Sequence, residues 1–234
     1  MKKRNLIVMS MLIGASVFAQ ESEKVELTAS KDAFGRSKER NRNSGAAPFL
    51  LASPIPGVAS IVGFDLSSVT NEIESAEFSF RILEDEQTPL SFTVSFMDHN
   101  DKNGTWVEGR GYQSLKGQLA ELDESTYQWR AFRDRAWLNA EGRTVRHLRD
   151  EDLWTELASQ SSVPWKAGNW ITISIEDPAF LEEIRKHEVQ TVTFGIWGTR
   201  GNGLYKLDSR ESGNPAKLNL LVKPAPEPAP APAE

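Results

Sequence analysis

Residues 90–96 read LSFTVSF, and this short run decides the fold. Leu90, Phe92, Val94 and Phe96 alternate with Ser91, Thr93 and Ser95, and successive side chains of an extended strand point to opposite faces. Such a segment offers one apolar face to a core and one polar face to water. The pattern recurs along the chain. Val62, Phe64 and Leu66 share a face, and Ala76, Phe78, Phe80 and Ile82 alternate with Glu77, Ser79 and Arg81. Later come Ile171, Ile173 and Ile175, then Val192, Phe194 and Ile196, then Leu218, Leu220 and Val222. Six such runs, with turn residues between them, predict an all-β fold. The expectation is an antiparallel, jelly-roll-like β-sandwich, two sheets packed face to face.

One or two short helices are expected in the connections. Asp177-Pro178 is an N-cap and first-turn pair, followed on one side by Phe180, Leu181 and Ile184. In "RDEDLWTELASQ", residues 149–160, Leu153, Trp154 and Leu157 fall at helical spacing. Residues 113–165 otherwise read as an elaborated connection. The stretch "DHNDKNGTWVEG", residues 98–109, raises structural calcium, because Asp98, Asn100, Asp101 and Asn103 are oxygen donors. EF-hand spacing fails there, since Lys102 takes a ligand slot and Asn103 stands where glycine belongs. A plain Asn103-Gly104 hairpin turn is the expectation.

Composition sets the class of partner. Lys2-Lys3-Arg4 precedes an apolar run over residues 6–19 that ends in Val17-Phe18-Ala19, so residues 1–19 read as a secretory signal with the cut before Gln20. The run is shorter than the ~20 residues of a spanning helix, and no transmembrane segment is expected in the mature chain. Residues 20–24 then form a mature N-terminal segment, residues 25–222 the sandwich, and residues 223–234 a Pro/Ala-rich tail suited to polyproline II. The formal charge of −6 becomes about −9 once the signal's three cations leave. That excludes nucleic acid as the natural partner, since binding it needs a basic surface. Cysteine is absent, so neither disulfides nor thiolate chemistry are available.

Enzyme signatures are missing: there is no G-x-S-x-G elbow and no H-E-x-x-H pair. His99, His147 and His187 lie far apart, each with no second ligand at a helical or hairpin spacing. Two stretches are basic within the acidic chain. Residues 31–43 hold Lys31, Arg36, Lys38, Arg40 and Arg42, and residues 130–149 hold six arginines with Trp137 among them. Guanidinium groups grip carboxylates and sulfates bidentately, and aromatic faces stack on sugar rings. The implied partner is an anionic polysaccharide. Arg36, Lys38, Arg40 and Arg42 recur every second residue, so on an extended strand they would form a row along one face. Trp106 and Tyr112 are the candidate stacking platforms.

Four stretches, in order, resemble DNRLRE-type domains, also grouped as family-96 carbohydrate-binding modules. "KDAFGRS" is similar to the family's opening Asp, aromatic, Arg segment, and "SIVGFDLSSV" leading into "SAEFSFRI" to its Phe-Asp-Leu-Ser strand and the next. "TWVEG" matches its Trp-x-Glu-Gly turn, and "SRESGNPAKLNLLV" its closing Ser-Arg-Glu, Asn-Pro, strand pattern. Gly63 and the long 113–165 connection depart from the usual form. The resemblance implies a secreted β-sandwich that binds acidic, uronic polysaccharides such as alginate without catalysis. A structural or adhesive surface protein is the alternative, and a polysaccharide lyase or hydrolase a weaker one. Within the closing pattern, Arg210 either pins the last strand to a neighbouring loop or meets the ligand, and the pinning role explains why it belongs to a strand-turn signature.

Overall fold

The computed structural model describes residues 22–186 and 189–224. Residues 1–21, which hold the expected signal, residues 187 and 188, and residues 225–234 of the tail lie outside the described residues. The long strands, in chain order, are β1 (Glu23–Thr28), β2 (Lys31–Arg36), β3 (Val58–Asp65), β4 (Ile73–Arg81), β5 (Leu90–Met97), β6 (Trp154–Val163), β7 (Trp170–Ile175), β8 (Thr191–Arg200) and β9 (Lys217–Val222). They build one sheet ordered β1-β9-β4-β7 and a second ordered β6-β5-β8-β3-β2. Every neighbouring pair is antiparallel. The predicted all-β sandwich is the fold, with β1 and β9, far apart in sequence, running side by side from Glu23↔Val222 to Thr28↔Lys217.

The core lies between the sheets and is made by the alternating positions read from the sequence: Val62, Phe64, Phe78, Phe80, Phe92, Val94, Phe96, Ile173, Phe194 and Leu218 belong to one buried cluster. Phe78 of the first sheet stacks on Phe194 of the second at 4.5 Å, with Phe64 edge-on to each at 6.0 and 5.7 Å. Aromatic contacts of these geometries add about 1 kcal/mol each beyond simple burial.

The polar face is where expectation and structure part. On the first sheet Glu77, Thr172 and Ser174 are exposed as the alternation implies. On the second, Ser91, Thr93, Ser95 and Thr193 are buried. A cover formed within residues 98–153 lies on that face and closes a second cluster of Ala33, Ile61, Met97, Trp106, Tyr127, Trp137, Leu148 and Leu153. Three of these hydroxyls take part in hydrogen bonds. Trp106 Nε1 donates to Thr193 Oγ1 (3.0 Å), Ser162 N donates to Ser91 Oγ (3.0 Å), and Thr93 and Ser159 share a bond of 2.9 Å. Glycine on β8 makes room for the indoles that the sheet itself carries on this face. A Cβ on Gly195 would fall 2.6 Å from the Trp197 ring and 2.8 Å from that of Trp154.

Partial packing on both faces also corrects the second predicted helix. After a single 3₁₀ turn, Glu151–Leu153, the chain continues as the strand β6 beside β5. Trp154 packs into the cluster under the cover and Leu157 into the central core. Residues three apart face opposite ways on a strand, so a strand that is partly packed on both sides mimics helical spacing. The helix over Pro178–Arg185, here α2, forms as expected, with the Asp177 carboxylate accepting the Phe180 N–H at 2.9 Å and Phe180, Leu181 and Ile184 buried. The Asn103-Gly104 hairpin does not form. That stretch is a one-turn helix, α1 (Asn100–Asn103), whose asparagine side chains are consumed by the fold. Asn103 Nδ2 donates to the Asp98 and Leu138 carbonyls at 2.7 Å each, and Thr193 N donates to Asn100 Oδ1 at 3.2 Å.

Candidate functional site

The sequence motifs at the two ends and the middle of the chain meet at one point. Asp32 on β2 accepts the backbone N–H of Arg210 at 2.8 Å, and its own N–H donates to Glu108 Oε1 at 2.5 Å. Arg210 Nη1 closes the set on Glu108 Oε2 at 2.5 Å. Ser209 Oγ donates to the Ala47 carbonyl at 2.7 Å, so the turn before β9 is tied down twice. Burial pushes the Asp32 carboxyl up to about 8, opposed by the Arg210 N–H and reinforced by Glu211 and Glu108. Burial also raises Glu108, against its bonds from Asp32 and Arg210. Among the described residues, oxygens of Asp32, Glu108 and Glu211 approach within 4.8 Å, close enough to share a cation. The Arg210 guanidinium already supplies one. Of the two roles open to Arg210, this geometry is the pinning one.

Beside it, Lys31 Nζ bonds the Gly104 and Trp106 carbonyls at 2.6 and 2.7 Å and lies 4.6 Å from the Trp106 ring centroid. Trp106 is 2 % exposed. It is a core residue that holds the cover on the sheet, and its faces are not available to a sugar; the expected platform is corrected on that ground. Tyr112 is 42 % exposed, with its edge against Phe49.

The expected row of cations is also broken. β2 ends at Arg36, and a 3₁₀ turn, Ser37–Glu39, follows before the two-residue strand Arg42–Asn43. Arg36 Nη1 turns onto the Leu115 carbonyl at 2.7 Å and Arg42 Nη1 onto that of Gly117 at 3.0 Å, so both pin the 113–117 loop. Lys38 is exposed on the turn. The bend after β2 separates the four, and loop carbonyls take up Arg36 and Arg42.

Arg40 goes elsewhere, and the second basic stretch meets it. Arg40, Tyr127, Trp129, Val145, Arg146 and His147 line a groove of about 680 Å³, with no Asp or Glu in its lining among the described residues. Local backbone chemistry builds it. Thr126 Oγ1 accepts the N–H groups of Gln128 (3.2 Å) and Trp129 (3.0 Å), a hydroxyl turn that aims the short strand Trp129–Ala131. Leu148 N donates to the Tyr127 carbonyl at 2.8 Å, which brings the imidazole of His147 onto the phenol ring with centroids 5.1 Å apart. Gly35 lets this part of the cover sit directly on β2, since a Cβ there would lie 3.1 Å from Tyr127 Cα.

The groove is basic in an acidic protein. Arg40 and Arg149 act on the Tyr127 phenol against Asp150, while burial dominates and raises its pKa. Burial lowers that of Arg149, whose guanidinium lies 4.8 Å from the Trp197 ring centroid. Arg149 Nη1 and His147 Nδ1 are buried with no hydrogen-bond partner among the described residues. Buried polar atoms without a partner are uncommon in folded proteins. Of the expected ligand residues only Arg40 reaches this groove. Trp129, Arg146 and His147 were missed, because the connection that carries them has no readable period. The excess of arginine over residues 130–149 was the signal in the sequence.

No family model matches the chain, and no curated protein is similar enough to it to stand as a relative.

Proposed function

We propose that the protein is a secreted, non-catalytic carbohydrate-binding module for an acidic polysaccharide of the uronic type, and that the groove between Arg40 and His147 is where the polymer binds. One observation carries the reading: the groove joins a partly exposed indole, Trp129, to two arginines, Arg40 and Arg146, from two separate stretches of an otherwise acidic chain. Indole faces suit the apolar side of a pyranose ring, and guanidinium forks suit its carboxylate. The four-motif resemblance to family-96 carbohydrate-binding modules supports the same class.

Retardation of the mature protein in gels containing alginate tests this. Binding is expected to weaken with salt, because exposed charges are screened over about 10 Å at 0.1 M. Replacing Arg40 and Arg146 by Gln is expected to weaken binding at least about tenfold, some 1.4 kcal/mol, at unchanged melting temperature. An unretarded wild type, or a folded double variant with full affinity, overturns the reading.

The set of phenol, imidazole and guanidinium around Tyr127 and His147 also favours a second reading, β-elimination of a uronate. There an arginine would neutralise the carboxylate while a base removes the proton at C5, the C4–O glycosidic bond breaks to leave a C4–C5 double bond, and a proton returns to the leaving oxygen. Release of unsaturated sugar, followed by ultraviolet absorbance, would replace the binding-only reading with that one.

A further inference from the structure

The cover closes the outer face of the second sheet and leaves that of the first open. The first sheet's outward row is polar: Thr172 on β7, Ser79 on β4 and Lys217 on β9 stand opposite one another, with Ser174, Glu77 and Asn219 in the next row. Ser79 and Thr172 share a hydroxyl bond of 2.9 Å. At the start of the edge strand β7 stands one large aromatic group, Trp170, 41 % exposed. Lys217 Nζ lies 5.6 Å from its ring centroid.

Two cations on this face are already paired. Lys217 pairs with Glu26 at 3.0 Å and Arg81 with Asp208 at 2.8 Å. The groove near His147 has arginines without carboxylates in its lining; this face has matched pairs, hydroxyls and a bare indole. A polyanion gains little from such a surface. An uncharged sugar gains most, since its apolar C–H face covers the indole and its hydroxyls exchange bonds with Thr172, Asn219 and Glu77. The row from Thr172 to Lys217 spans three strands, about 10 Å, room for a short oligosaccharide.

We propose that the outer face of the first sheet is a second carbohydrate site, for a neutral hexose polymer, with Trp170 as its stacking platform. The two sites then lie on different sheets and read different polymers, so the protein bridges a neutral glycan to an acidic one. The bridging role rests on the groove reading above; the neutral site does not.

Affinity electrophoresis in gels of a soluble β-glucan, a galactomannan and alginate separates these claims. The wild type is expected to be retarded by at least one neutral polymer. Trp170→Ala is expected to weaken that retardation at least about tenfold, with alginate retardation and melting temperature unchanged, and Trp170→Tyr to restore part of it. A wild type that runs freely in both neutral gels, or a Trp170→Ala variant retarded like the wild type, overturns the site. A sedimentation coefficient that falls on Trp170→Ala also overturns it, by making the face a contact between copies of this chain. Neutral retardation without alginate retardation supports the site and removes the bridging role.

Discussion

Arg210 and Glu108, 102 residues apart in the chain, are joined by a charged hydrogen bond of 2.5 Å at the point where the last strand enters its sheet. Asp32 from the second strand binds both of them through backbone N–H groups. The set therefore locks the first strands, the cover and the closing strand together. Removing a partner from a buried pair costs about 3–5 kcal/mol, but this pair is partly exposed, so Arg210→Ala is expected to lose roughly 2 kcal/mol. Urea unfolding measures it, and alginate affinity of the folded variant should be unchanged. A weakened affinity at unaltered stability would move Arg210 to the ligand.

Stability is expected to pass through a minimum near pH 8. Unfolded Asp32 releases its proton near 3.8 and the folded one near 8, so between these values the folded chain holds more protons and stability falls as pH rises. Lys31 runs the other way. Burial lowers its ammonium, against Glu108 and Asp65, from 10.5 to about 8, so above that point the folded chain holds fewer protons and stability recovers. Urea midpoints at about pH 5, 8 and 10 follow both limbs. Asp32→Asn should flatten the acid limb; an equal fall in wild type and variant would refute the assignment.

Trp106 and Trp129 should divide stability from binding. Trp106→Ala removes a fully buried indole and its bond to Thr193, and is expected to cost about 3–5 kcal/mol. Trp129→Ala removes a partly exposed one and should cost under about 1.5 kcal/mol while abolishing alginate retardation. Thermal melts beside affinity gels test the pair, and the reverse pattern would restore Trp106 as the platform.

Gly35→Ala should loosen the cover. Its Cβ would meet Leu148 Cδ1 at 3.0 Å and Tyr127 Cα at 3.1 Å. Overpacking of this kind costs about 1–3 kcal/mol. Because the same residues shape the groove, alginate affinity should fall with stability. Hydrogen exchange that stays unchanged across residues 126–148 would show that the cover absorbs the methyl group.

The sequence by itself determined six of the nine long strands, the central core and the α2 cap. Each is written in local chemistry: period-two apolar residues for Phe92 or Phe194, and Asp177-Pro178 for the helix start. It also determined that arginine concentrates in two stretches of an acidic chain. Tertiary structure alone decided which polar faces are wet. Serine and threonine suit both a solvated face and a close-packed one, so Ser91, Thr93 and Ser95 look the same in sequence whether or not a cover lies on them. It likewise decided which cations converge. Arg36 and Arg42 find loop carbonyls, whereas Arg40 meets Arg146 and His147 from more than a hundred residues away. Alternation records the direction of each side chain relative to its own strand; where two distant segments meet depends on how the whole chain packs, and no local period encodes that.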